Sequence, residues 1–350
     1  MRPLSAVQAR VSPAPRYEGA MYRAFRFLLL TIFLLTVDWS GRPRRDELGA
    51  RADIAIKRVP LDPADSARTT VGALTFLGGL ELSSRDGAFG GFSSMSVTGD
   101  RFTLLSDGGN IVRFTLDRRF RLSAPEFGDL PAGPGLGWSK IDRDSESMAL
   151  DPVSGAVWVG FERANAIWRY GPGLTAPAAH VAPPAMHDWE SNGGAESLVR
   201  LRDGRFLVIA ETDSRGQATG ARNALLFSGD PLAPRSGVVR FGYLPPDGYD
   251  PSDAVELPDG RVLVLNRRIA LPFTWSAKLT LVDPRAITPG AILRGREIAT
   301  LAPPLTVDNF EGLAVTREGS ATILWMVSDD NLSAVQRSLL MKFRLEINGK

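Results

Sequence analysis

Five segments of this chain repeat one pattern, and that recurrence limits the fold more than any other feature of the sequence. They are "GFSSMSVTGDRFTLLSD" (91–107), "DSESMALDPVSGAVWVGFE" (144–162), "GAESLVRLRDGRFLVIAE" (194–211), "SDAVELPDGRVLVLNR" (252–267) and "FEGLAVTREGSATILWMVSD" (310–329). Each reads as a strand, a turn containing Gly, and a second strand. Taking Ser93, Glu146, Glu196, Asp253 and Glu311 as equivalent positions gives steps of 53, 50, 57 and 58 residues. Such a period suits the blades of a β-propeller, each a sheet of four antiparallel strands.

Later strands complete the blades. A third strand follows the pair in "IVRFTLD", "AIWRYGP" and "LLMKFRLE", and outer strands end in "FGDLPAG", "HVAPPAM", "FGYLPPD" and "IATLAPP". The fifth repeat has no sequence left for its outer strand. The alternating segment "VGALTFLGGLEL" (71–82) is expected to supply it, closing the ring and removing its open edges. The fold expected is therefore all-β, a propeller of five four-stranded blades over residues 68–350. Six blades would require a repeat the sequence does not hold, and a β-sandwich would not explain five recurrences.

The first strand of each blade lines the central channel, with alternate side chains facing it. This expectation puts Ser93, Glu146, Glu196, Asp253 and Glu311 around one rim. A second ring follows from the second strands: five residues on from Phe102, Val157, Phe206, Val262 and Leu324 stand Asp107, Glu162, Glu211, Arg267 and Asp329. Arg163, Arg268, Asp330 and Asn331 come directly after it. Carboxylates crowded together repel, and burial raises their pKa unless a cation compensates. A hard cation taking about six to eight oxygens, such as Ca²⁺, does this best. The metal set expected is Glu146, Glu196, Asp253, Glu311, Asp107 and Asp330. The catalytic set is Glu196, Glu211 and Glu311, and Arg163, Arg267, Arg268 and Asn331 are expected to hold the substrate. The same acidic groups could instead cap loop N–H groups or pair with neighbouring arginines.

Other chemistries lack their parts. With no Cys and two His, His180 and His187, zinc and thiol chemistry are poorly supplied. There is no G-x-S-x-G and no phosphate-cradling G-x-x-x-x-G-K-[ST]. Paired carboxylates leave glycosidic chemistry open. Residues 1–58 carry 11 Lys/Arg against 5 Asp/Glu, so the remainder is mildly acidic despite a formal net charge of +2. Nucleic acid is therefore not an expected partner.

The N-terminus has the layout of an export signal. Arg23 and Arg26 precede the uncharged stretch Phe27–Val37, which is short beside the roughly 20 apolar residues of a spanning helix. Residues 1–20 read as an extension before a start at Met21, 21–45 as a signal or short anchor and 46–67 as a linker. Export to the periplasm is expected, with a membrane tether through residues 24–37 if the signal is retained, and the folded part as a monomer.

The stretches "ESNGGAESLVRLRDGRFLVIAE", "YDPSDAVELPDGRVLVLNRR" and "DNFEGLAV…LWMVSDDNLSAVQRSLLMKF" resemble the phytase-like family of exported bacterial propeller proteins with esterase-like activity of the phytase type. The resemblance spans roughly residues 68–346. It implies hydrolysis of phosphate or carboxylate esters, small anionic substrates, with Ca²⁺ as cofactor. By motif match it singles out Glu196, Glu211, Asp253, Arg267, Arg268, Asp308, Asn309, Glu311, Asp330 and Asn331. Two positions depart from the family pattern: Gly108 stands where an Arg is expected, and Asn266 where a Glu is usual. The alternative function is a non-catalytic propeller that binds a ligand or a protein at the cell envelope.

Overall fold

The computed structural model describes residues 44–213, 220–271 and 274–347. The extension, the signal and the tether all fall outside these residues, apart from Arg44 and Arg45. No helix among the described residues is long and apolar enough to cross a membrane.

Five antiparallel sheets form a ring, a five-bladed β-propeller. The inner strands, Phe92–Thr98, Ser145–Leu150, Ala195–Arg200, Asp250–Glu256 and Asn309–Glu318, neighbour one another around the channel and define blades 1 to 5. Each blade then runs outward through strands paired in chain order. The expected closure is present: Leu74–Ser83 pairs antiparallel with Ser338–Leu345 as the outer strand of blade 5. Two further edge strands extend this plan. Ala55–Val59, in the segment expected to be a linker, adds outside Leu74–Ser83, and Ile292–Arg294 adds in parallel to blade 3.

The turns explain why the repeat is readable. In blades 3 and 4, Asp203 and Asp259 accept the N–H of the Arg two residues on, each at 3.0 Å, and pair with that Arg's guanidinium. Gly204 and Gly260 sit at φ +89° and +85°, where a side chain is strained. Each turn thus fixes the register of its hairpin.

The core is divided into five apolar clusters, one at each seam between adjacent blades. At the seam of blades 5 and 1, Trp325 meets Phe102 edge to face at 4.8 Å. Burying both faces of every blade leaves the polar residues two outlets, the loops and the channel mouth.

Candidate functional site

Every inner strand slips register at the same place. Two residues oppose one on the second strand, so one residue is squeezed out of the ladder. The extruded residues are Ser93, Glu146, Glu196, Ser252 and Glu311. Blade 4 therefore differs from the sequence expectation by one residue: its ring member is Ser252, not Asp253. A one-residue offset moves a side chain to the other face. Asp253 accordingly turns to its neighbours, its carboxylate accepting the N–H of Leu313 on blade 5 at 2.6 Å and of Ala254 at 2.7 Å. Spacing to the turn glycine carried this signal: Gly204, Gly260 and Gly319 lie eight residues after Glu196, Ser252 and Glu311.

At the mouth the strands enclose a cavity of about 220 Å³ lined only by polar side chains. Eight are carboxylates, Asp107, Asp144, Glu146, Glu162, Glu196, Glu211, Glu311 and Asp329, with three cations, Lys140, Arg163 and Arg267, and two amides, Asn192 and Asn331. Of the residues expected at the site, Asp253, Asp330 and Arg268 are not in this lining. Asp330 accepts hydrogen bonds from Gly91 N–H and Ser338 Oγ, tying blade 5 to blade 1. Arg268 is exposed and lies over the ring of Tyr249. Asp308 pairs with Arg337 at 3.2 Å, away from the lining. Asn266 lies in a buried network with Tyr243 and Thr280.

The lining falls into two halves. On the side of blades 4 and 5, Arg267 reaches Glu211 at 2.8 Å and Glu311 at 3.2 Å. Asn309 completes this set, donating to Glu311 at 2.6 Å and accepting from Arg267 at 3.2 Å. The carboxylates Glu311, Glu211, Glu196 and Glu146 raise the Arg267 pKa against its burial. On the side of blades 2 and 3 the charges are less compensated. Arg163 Nε stands 2.6 Å from Asp144, and Glu162 accepts the Gly193 N–H. Among the described residues, no hydrogen bond or ion pair reaches the carboxylates of Glu146 or Glu196. Glu196 is only 6% exposed.

Desolvation first, and neighbouring carboxylates second, push Glu146 and Glu196 well above the ordinary carboxylate range, with the charge of Arg267 opposing the rise at Glu196. Burial likewise raises Glu162 to about 7, with its hydrogen bond from Gly193 opposing. Burial also raises Asp107, Glu311 and Asp329. Two trios place carboxylate oxygens within 4.8 Å of one another: Asp144, Glu146 and Glu162, and Glu162, Glu196 and Glu211. Glu162 is common to both. These all-oxygen sets, with a buried carboxylate lacking a donor, fit a hard cation such as Ca²⁺.

Sequence reading alone missed Lys140, Asp144 and Asn192 as site residues. Lys140 pairs with Asp107, and it and Asn192 come from loops between blades with no counterpart in the other repeats. Asp144 stands two residues before the extruded Glu146 and opens the repeat segment 144–162, so it was readable from the sequence.

No curated protein matches the chain. Solved structures of similar shape include a protein of unknown function from Dyadobacter fermentans, at 9% identity and TM-score 0.44, covering 79% of this chain and 100% of that one. The Malassezia sympodialis allergen Mala s 1 stands at 15% identity and TM-score 0.42, with 84% and 96% covered. Kuenenia stuttgartiensis hydrazine synthase stands at 11% identity and TM-score 0.37, with 74% and 66% covered. Residues 87–332, by contrast, match a family described as "Phytase-like: Esterase-like activity of phytase". With most of the propeller inside that match, the chain belongs to the phytase-like family.

Proposed function

We propose that the channel mouth binds Ca²⁺ and hydrolyses phosphate or carboxylate esters there. The observation that carries this reading is the Glu196 carboxylate, buried beside Glu211 and Glu162 with no hydrogen-bond or ion-pair partner among the described residues and only the more distant charge of Arg267 opposing them. A carboxylate in that state is costly unless protonated or paired with a cation. Glu146, Glu162, Glu196 and Asp144 would hold the ion, with Glu211 shared between it and Arg267. When bound, the ion would polarise the ester and neutralise its charge. Without the ion, burial leaves Glu162 near half-protonated at neutral pH, so taking up the cation would release a proton from it. Lys140 and Arg163, 56% and 39% exposed, are the cations an arriving anion would meet first. Arg267 holds Glu211 and Glu311 apart as a fixed counter-charge. Export, argued from Arg23, Arg26 and Phe27–Val37, would put this chemistry outside the cytoplasm, and cell fractionation tests that separately.

The test is turnover of p-nitrophenyl phosphate, p-nitrophenyl acetate and a p-nitrophenyl glycoside, with Ca²⁺ and with chelator. The reading expects hydrolysis of the phosphate or the acetate that chelator abolishes, Ca²⁺ restores and Glu162→Gln removes. Turnover of the glycoside indifferent to chelator would overturn it in favour of carboxylate-pair chemistry. A second reading, a propeller that binds without turnover, is favoured by one observation: all three cavity cations already face carboxylates of the chain itself. Cation uptake with none of the three probes hydrolysed would support it.

A further inference from the structure

Arg45 lies outside the ring of blades and outside the residues that match the family, yet its side chain is only 4% exposed. Its bonds go to the two loops that build one wall of the mouth and to Asp129, the last residue of the outer strand of blade 1, with Glu47 a more distant ion-pair partner at 3.7 Å. Its Nη1 donates to the carbonyl of Gly108 at 3.0 Å and to Asp129 Oδ1 at 2.6 Å, and Nη2 to Asp129 Oδ2 at 2.5 Å. Its Nε donates to the carbonyl of Gly137 at 2.9 Å, and its backbone N–H to the carbonyl of Trp138, also at 2.9 Å. Gly108 follows Asp107 directly. Gly137 and Trp138 open the turn that presents Lys140 and leads to Asp144. These loops face each other across the Asp107–Lys140 ion pair, and the Ser145 N–H donates to the Asp107 carbonyl at 3.2 Å.

We infer that Arg45 is a positioning residue for the acidic mouth: one guanidinium clamps the peptide after Asp107 to the loop carrying Lys140 and Asp144. Its planar fork suits this task, because it serves one carboxylate and two carbonyls at once. Other ties support the same wall from within. Asp142 accepts the N–H groups of Trp138 and Ser139, and Arg143 donates to the Pro134 carbonyl. Arg45 joins that loop to blade 1 from outside it. Neighbouring residues of the same segment add to the seam, with Leu48 N–H donating to Asn110 Oδ1 and Asn110 Nδ2 donating to the Asp46 carbonyl. The site thus depends on a residue that no reading of the blades alone would include.

The functional half of this inference rests on the cation reading of the mouth, so the experiment uses two readouts on the full chain. The first is backbone hydrogen exchange over residues 107–110 and 137–144. The second is Ca²⁺ titration by calorimetry, for wild type, Arg45→Gln, Arg45→Lys and Arg68→Gln. Arg68 pairs with Asp62 in the same N-terminal region but touches no cavity residue, so it controls for general loosening. Arg45→Gln is expected to speed exchange in both segments and to weaken Ca²⁺ binding about tenfold, the usual size for losing an outer support of a metal site. Arg45→Lys keeps the charge but not the fork and should fail to rescue, while Arg68→Gln leaves affinity unchanged. Faster exchange with unchanged affinity would reduce Arg45 to a staple, and unchanged exchange would overturn the clamp itself. If Arg45→Gln does not accumulate folded, Asp129→Asn removes the carboxylate partner and should shift both readouts the same way, to a smaller extent. If wild type takes up no Ca²⁺, the cation reading fails while the exchange data still decide whether Arg45 holds the loops.

Discussion

The two halves of the mouth carry the same kind of residue in opposite states. Beside blades 4 and 5, Glu211 and Glu311 share Arg267, and Asn309 donates to Glu311. Beside blades 2 and 3, Glu146 and Glu196 have no direct partner among the described residues, and Arg267 only tempers Glu196 from further away. Equivalent positions in a repeat therefore need not share a role. An acid that the chain itself neutralises is part of the framework, and one left bare is where a cation from outside would act.

The largest expected effect comes from breaking the neutral half. Arg267→Gln would strand the buried Glu311 and the half-buried Glu211 and should destabilise the metal-free protein by about 3–5 kcal/mol, read by chemical denaturation. The same variant should gain Ca²⁺ uptake, because its two halves become alike. A variant as stable as wild type would show that Arg267 is not the counter-charge.

Sharpening the bare half should have the reverse sign. Glu196→Gln removes an uncompensated charge, so the metal-free protein should melt higher than wild type at pH 8, by an amount that shrinks as the pH is lowered. A lower melting temperature at pH 8 would mean that Glu196 is already paired.

The pH dependence follows from Glu162, whose value rises on folding from 4.5 to about 7. The folded state then holds its proton more tightly than the unfolded state, so stability of the metal-free protein falls as the pH rises through that window. Surface aspartates with lowered values, such as Asp53 and Asp117, add stability as the pH rises but act below the window. Melting curves with chelator should therefore drop between about pH 4.5 and 7, and Ca²⁺ should flatten the drop. A chelated protein that becomes more stable across this range would contradict the assignment.

The smallest effect is expected at Glu311. Because Arg267 and Asn309 already hold it, Glu311→Gln should change Ca²⁺ affinity by less than about threefold, or roughly 0.7 kcal/mol.

The ring was legible because its cause is local and repeated. Glycine-containing turns and strand alternation recur five times, and even the closing strand showed its pattern in Leu74–Ser83. The edge strand Ala55–Val59 was not, since "AIKRV" is charged and mostly exposed and gains its order only from pairing with Leu74–Ser83. Glu146, Glu196, Glu211 and Glu311 were found from the repeat and do line one cavity, as do Asp107, Arg163, Arg267 and Asn331. Asp253 was misplaced because its acid was matched to the glutamates of the other repeats, whereas the bulge and the spacing to Gly260 put Ser252 at the extruded position. Lys140 and Arg45 were invisible for a different reason: their meaning lies in contacts between loops far apart in the chain.

Calcium calorimetry on wild type, Glu196→Gln and Glu311→Gln side by side tests the contrast between the two halves most directly. The account predicts binding by wild type, loss of at least about 100-fold in Glu196→Gln, more than the loss of an outer support would give, and near-normal binding in Glu311→Gln. Retained binding in Glu196→Gln with loss in Glu311→Gln would put the cation on the other half, and no uptake by wild type would remove it from the mouth altogether.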